Sequence, residues 1–285
     1  MKLLPHIITI TLISSFSLSA QDTPEAQPEQ AITFSDIKGQ FPSAQNEGLG
    51  KIGSEAQIKV PEGMVFMNGK DGDKLLQSWG NLPSQIDALI MPTDASWCIT
   101  FDFSDIGYVK DDEKEDIDAD AILDEKKEAQ SEANKQRSAQ GLTELNIIKW
   151  VVAPNYNPST NNLEWGMLLR DSDGSETINH ETRLLGRRGV MNVTLLCAPE
   201  QFEDLKPALK ASLAGFSYND GSKYGEYQEG DKIAEYGLLG LMGAGGAFVI
   251  WKFWKPICAG LVAVGIAIKK FAGRLFGNKN EGRIS

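Results

Sequence analysis

The sequence predicts an α+β domain, a largely antiparallel sheet flanked by helices, followed by a C-terminal transmembrane helix. Three observations carry this. Short alternating apolar segments separated by turn residues recur between about Ile58 and Cys197, as antiparallel hairpins require. Two helical stretches, 116–137 and 199–213, interrupt and close that series, which separates α+β from a βαβ alternation. An apolar, Gly-rich run from Tyr236 to Ile268 is followed by Lys269, Lys270, Arg274, Lys279 and Arg283 against Glu281 alone.

Residues 1–20 read as a signal peptide. Lys2 supplies a positive start, an apolar stretch begins near Ile7, and Ser17, Ser19 and Ala20 offer a cleavage site before Gln21. An uncleaved N-terminal helix is the alternative. Residues 21–45 are rich in Gln, Glu, Pro and Ser and read as a disordered acidic arm. An exported domain is expected over 46–218. Its first strand contains Val65 and Met67 after the turn Pro61-Glu62-Gly63. Asp71 or Asp73 is then expected to cap a helix through Trp79, closed by Gly80-Asn81. Trp97 to Phe103 alternates as a half-buried strand.

Asp116 to Arg137 is the clearest helix, with acidic residues at its start and Lys135 and Arg137 near its end, as the helix dipole favours. Ile147 to Ala153 is a strand entering a turn at Pro154–Pro158. Leu163 to Leu169 follows, then a hairpin turn at Asp171-Ser172-Asp173-Gly174. Thr177 to Leu185 and Val190 to Cys197 form the next pair, joined at Gly186-Arg187-Arg188-Gly189. Pro199 starts a last helix, and 219–235 reads as a polar linker.

The anchor is expected over 236–268, with a basic cytoplasmic tail at 269–285. About 20 apolar residues are needed to span a bilayer, so one span near 236–254 is favoured over a two-span hairpin. Lys252 and Lys255 would then lie at the interface beside Trp251 and Trp254. Gly240, Gly243 and Gly246 recur at helical spacing, which allows close helix packing and weak homo-oligomerisation.

Charge supports this orientation. The tail from 236 carries +6 from seven Lys/Arg and one Glu, residues 1–20 carry +1 from Lys2, and the whole chain carries −11. Residues 21–235 therefore hold −18. Basic flanks stay on the cytoplasmic side, so the layout predicts a bacterial inner-membrane protein with its main domain in the periplasm, contacting lipid through the anchor. A body of −18 disfavours nucleic acid as a partner.

Little in the sequence carries chemistry. After cleavage one histidine remains, His180, in an apparent strand. Asp116, Asp118 and Asp120 mimic the start of a calcium loop, but Ala121 replaces the required Gly and Lys127 the required Glu, so a solvated helix start is the better reading. Trp79, Trp97, Trp150 and Trp165 read as core. No phosphate loop or paired metal-spaced Cys motif occurs. No cofactor and no metal are expected. Arg187 and Arg188, at a hairpin tip, are a candidate contact for an anionic partner or lipid headgroup. Cys98 and Cys197 are a candidate disulfide if their strands are neighbours and face one way, with buried free thiols as the alternative.

Several segments together resemble a known family. These are Val60-Pro61-Glu62-Gly63, Ser78-Trp79-Gly80-Asn81, Gly107-Tyr108-Val109-Lys110-Asp111-Asp112, Asn134-Lys135-Gln136-Arg137, Trp150, Pro154-Asn155-Tyr156, Leu163-Glu164-Trp165 and Leu185–Val190. The set is similar to the bacterial membrane-anchored proteins grouped as domain of unknown function 2167, over about residues 45–270. That family has no established activity, so the resemblance implies topology and no chemistry. A strand entering Ala198-Pro199-Glu200, then a helix and Gly215-Phe216, also resembles the end of PsbP-type α/β/α sandwiches, which are often binding and assembly modules.

The residues thus predict a membrane-anchored cell-envelope protein that acts by interaction with an envelope protein and is not an enzyme. A periplasmic ligand-binding domain is the alternative. A hydrolase using carboxylates such as Asp102 with Glu164 has least support.

Overall fold

The computed structural model describes residues 32–242. The expected signal peptide and the anchor beyond Met242, with Gly243 and Gly246, lie outside the described residues. Within them, a seven-stranded sheet has the order β3-β4-β5-β9-β8-β7-β6, each neighbouring pair antiparallel. Its strands are β3 (Met64–Asn68), β4 (Ala88–Pro92), β5 (Cys98–Ser104), β6 (Leu145–Asn157), β7 (Asn162–Asp171), β8 (Glu176–Leu185) and β9 (Val190–Cys197). A second sheet, of order β1-β2-β10, comprises β1 (Leu49–Ile52), β2 (Ala56–Lys59) and β10 (Phe216–Tyr218). The α+β class with antiparallel sheets and flanking helices is as expected.

One face of the large sheet carries the main apolar core over β3, β4, β5 and β9, with His180, Thr182 and Glu164 on the same face of β8 and β7. Phe66, Ile90, Ile99, Phe101, Met191, Val193 and Leu195 pack against Ile52 and Ile58 of the small sheet, and against Phe202 and Leu209 of α4 (Phe202–Gly215). Pro199 starts a 3-10 turn that continues into α4.

The other face is covered in two parts. Val65, Met67, Leu89, Met91 and Cys98 lie beneath α1 (Phe34–Gln40) and α2 (Gly69–Ser78). Leu163, Trp165, Met167 and Leu185 lie beneath α3 (Ala119–Ala139), Val109 and α5 (Leu238–Met242). Gly240 sits on α5, where an added Cβ would fall 2.6 Å from the Tyr236 side chain.

Several expectations change for local reasons. The arm ends earlier than its composition implies: Thr33 and Asp36 form a reciprocal capping box for α1, and Ile37, Phe41 and Ala44 are buried. Asn68, not Asp71 or Asp73, caps α2. The Asp71 carboxylate instead accepts from Ser43 N and Oγ at 2.8 and 2.6 Å, binding the arm to the domain. Pro154 does not end β6, which continues to Asn157. β6 is the edge of the sheet, where a missing N–H costs no ladder bond, and bulges absorb the irregularity. β4 escapes period-2 reading because it is buried on both faces and is continuously apolar.

The stretch 219–235 does not behave as a free linker. The N–H of Tyr108 donates to Lys232 O at 2.7 Å and Ala234 N donates to Tyr108 O at 2.9 Å. Tyr224 stacks on Tyr108 with centroids 4.5 Å apart and 11° between planes. Gly107, at φ 100°, is required at this crossing, since a Cβ would fall 2.7 Å from Lys232 O.

Cys98 and Cys197 are free thiols. Their strands β5 and β9 are neighbours, but Cys98 pairs in register with Leu196, which leaves Cys197 on the other face. Cys98 packs with the α2 cluster and Cys197 with the α4 cluster. The condition for a disulfide therefore fails, and burial pushes the thiols up to about 12 and about 11.

Candidate functional site

Between α2 and α3 the helices leave the central strands β5, β9 and β8 partly uncovered. Strand alternation places Cys98, Thr100 and Asp102, then Leu196, Thr194 and Asn192, then Asn179, Glu181 and Arg183 on this face. Along β9 the burial pattern alternates between buried and half-exposed residues, with Asn192, Thr194 and Leu196 half-exposed. The result is a groove with a polar floor.

One end of the groove opens into a cleft of about 580 Å³ between the ends of the two helices, lined by Leu76, Trp79, Arg137 and Leu142 over Asn179 and Leu196. Arg137 holds these helix ends together, donating to Thr143 O and, at 3.3 Å, to Gly80 O. Asn134 fixes α3 to β6 through two bonds to the Leu145 backbone, at 2.8 and 2.9 Å. The other end is closed by Val190 and Leu185 packing against Val109 and Leu238.

Charged groups gather toward the closed end. Glu181 and Arg183 form an ion pair on β8, each side chain 14% exposed. The Lys126 ammonium lies 4.5 Å from the Trp165 ring centroid and the Arg183 guanidinium lies 4.7 Å from it. Burial works to raise the Glu181 carboxyl, but Arg183 and Lys126 outweigh it and hold the group low. Burial lowers Lys126, opposed by Glu181. Asp102 is pushed up by burial, and Asn192 donates to it at 3.2 Å while also donating to Ser104 Oγ at 2.8 Å.

A family model described as "Protein of unknown function (DUF2167)" matches residues 44–273. The chain belongs to that family. The match spans every residue of the groove. No curated protein matches. Among solved structures, the solution structure of cyanobacterial PsbP (CyanoP) from Synechocystis sp. PCC 6803 is similar at a TM-score of 0.39 and 12% identity, covering 62% of this chain and 93% of that one. A likeness of that size carries no argument about function.

The candidate residues of this DUF2167 domain divide on inspection. Arg187 and Arg188 are engaged within the fold. Arg187 grips Asp231 through two bonds of 2.7 and 2.8 Å, holding that carboxyl down at about 2. Arg188 binds Glu55 at 2.7 and 2.6 Å and reaches Ser222 Oγ at 3.2 Å. They fasten the 219–235 stretch to the β8–β9 turn, and no spare basic spot for a lipid headgroup is left on Arg187.

Asp102 and Glu164 cannot work as a pair. Register carries Asp102 to Asn192, Arg183 and Leu163 on one face, so Glu164 faces the other way. Three strand spacings of about 4.8 Å also separate them. His180 likewise faces away from the groove, packed 5.6 Å from the Phe202 ring and lowered by burial to about 4. Asp118 caps α3, accepting from Asp120 N and Ala121 N at 3.1 Å. Among the described residues no three His, Cys, Asp or Glu side chains cluster to hold a metal.

Sequence reading missed Lys126, Glu181 and Arg183. Lys126 is one charge among many on α3, and only strand register brings Glu181 opposite Thr194 and Arg183 opposite Asn192. Trp165 was recognised as core, which it is, at 0% exposure.

Proposed function

We propose that this protein is a membrane-anchored cell-envelope interaction module, and that the groove over β5, β9 and β8 is where it receives its partner. One observation carries the reading. The large sheet packs beneath the small sheet and α4 on one face, while the other is left half-open between α2 and α3, with Arg137 tying the ends of these helices together and Asn134 fixing α3 to β6. From Asn179 to Arg183 the open strip runs about 13 Å, enough for a short extended segment. A photo-crosslinking amino acid at Thr194 in intact cells should yield a discrete adduct, identifiable by mass spectrometry. Adducts no stronger than those from the exposed control Leu49, on the small sheet, would refute the reading.

The 580 Å³ cleft favours a second reading, a small-molecule binding domain. It is distinguished by ligand-dependent thermal shift in the absence of any protein adduct. In either case the acidic body is placed in the periplasm, on the charge asymmetry alone. A C-terminal alkaline phosphatase fusion should then be inactive, and high activity would reverse that placement.

A further inference from the structure

The closed end of the groove has a surplus of hydrogen-bond donors. Arg183 Nη1 and Trp165 Nε1 are buried and make no hydrogen bond, although the indole lies near enough to Glu181 to help keep that carboxyl ionised. The third donor, Lys126 Nζ, has no carboxylate within 4.0 Å among the described residues and rests on the Trp165 ring. Of the acceptors nearby, Glu181 Oε2 accepts from Arg183 and Asp102 Oδ2 from Asn192. Two buried donors without a partner, with the half-exposed Lys126 ammonium over the same indole ring, make an arrangement that an incoming acceptor would relieve.

We propose that this end of the groove binds an oxyanion, a carboxylate or phosphate group of the ligand, between Lys126, Arg183 and Trp165. The proposal rests on the groove being the binding surface. The guanidinium keeps Nη2 on Glu181 and offers Nη1 as a charge-assisted donor to such a group. Lys126 is half-exposed on α3, and its long flexible stem lets the ammonium swing off the ring, admit the anion and close over it. Glu181 holds the guanidinium in place, and the low-dielectric surroundings strengthen each contact.

The full chain, ¹⁵N-labelled at tryptophan, tests this. The Trp165 indole signal, assigned with Trp165→Phe, is followed during separate titrations with glutarate and inorganic phosphate at constant ionic strength set with sodium chloride. Saturable movement is expected, with affinity about tenfold weaker in Lys126→Gln, the loss of roughly one charge-assisted bond. Arg183→Lys, which keeps the charge but loses the fork, should weaken binding similarly. Response to glutarate alone identifies a carboxylate ligand, and response to phosphate alone a phosphate ester. A signal that follows chloride equally, that does not move, or that moves identically in Lys126→Gln would overturn the proposal. A Thr194 adduct in cells alongside such a failure would leave the interaction module standing and remove only the oxyanion.

Discussion

The two faces of the large sheet are built from the same strands and finished differently. On one, Phe101, Met191, Val193 and Leu195 are all essentially inaccessible beneath the small sheet and α4. On the other, the residues between them in sequence, Asp102, Asn192 and Thr194, are polar and half-exposed. Alternation makes this possible, because successive side chains point to opposite faces and each can follow its own demand. The sealed face holds the domain together, and the divided face leaves a polar groove between α2 and α3.

The largest effect should come from the sealed face. Phe101→Ala removes a fully buried ring and should cost about 3–5 kcal/mol, read as a shift of the denaturant midpoint. Asn179→Lys, on the half-buried groove floor, should change stability by about 0.5 kcal/mol or less yet abolish the Thr194 adduct. If Asn179→Lys unfolds the domain as readily as Phe101→Ala, the two faces are not distinct in role.

Next in size is a pH effect on the sealed face. His180 is 6% exposed and titrates near 4 instead of the ordinary 6.5, because burial penalises its charged form. Between those values the unfolded chain binds the proton and the folded domain does not, so protonation favours unfolding. Stability should therefore be whole above pH 6.5 and fall as the pH drops toward 4, by about 3 kcal/mol from this residue. Denaturant midpoints of His180→Leu should show a flatter slope over that window. Equal slopes in variant and parent would show that His180 is not neutral in the fold.

The smallest effect separates the faces by their thiols. Since Cys98 and Cys197 face opposite ways, adding reductant should leave the melting temperature unchanged, and both should alkylate in unreduced, denatured protein. A disulfide between them would require one strand to slip by a residue, transferring its apolar side chains to the wrong face.

Much was legible in the sequence because it is written locally. β8 and β9 alternate, and the Gly186–Gly189 turn between them is where expected. The acidic start marks α3, expected from Asp116 and found from Ala119 behind its cap Asp118. Where the signal depended on burial by distant residues, it misled: α1 looked disordered until Ile37 and Phe41 met the Val65 strand, and 219–235 looked like a tether until Tyr108 and Arg187 held it.

The sequence by itself determined the class of fold, the family, helices α2, α3 and α4 and the hairpin strands from β6 to β9, since periodicity, caps and turn residues act over a few positions. Only the tertiary structure decided which way the side chains face. A shift of one residue in register would have placed Cys98 with Cys197, or Asp102 with Glu164, on one face. The register found instead sets Glu181, Arg183 and Trp165 beneath Lys126. Those four residues lie on three elements, and nothing local to any of them records the meeting.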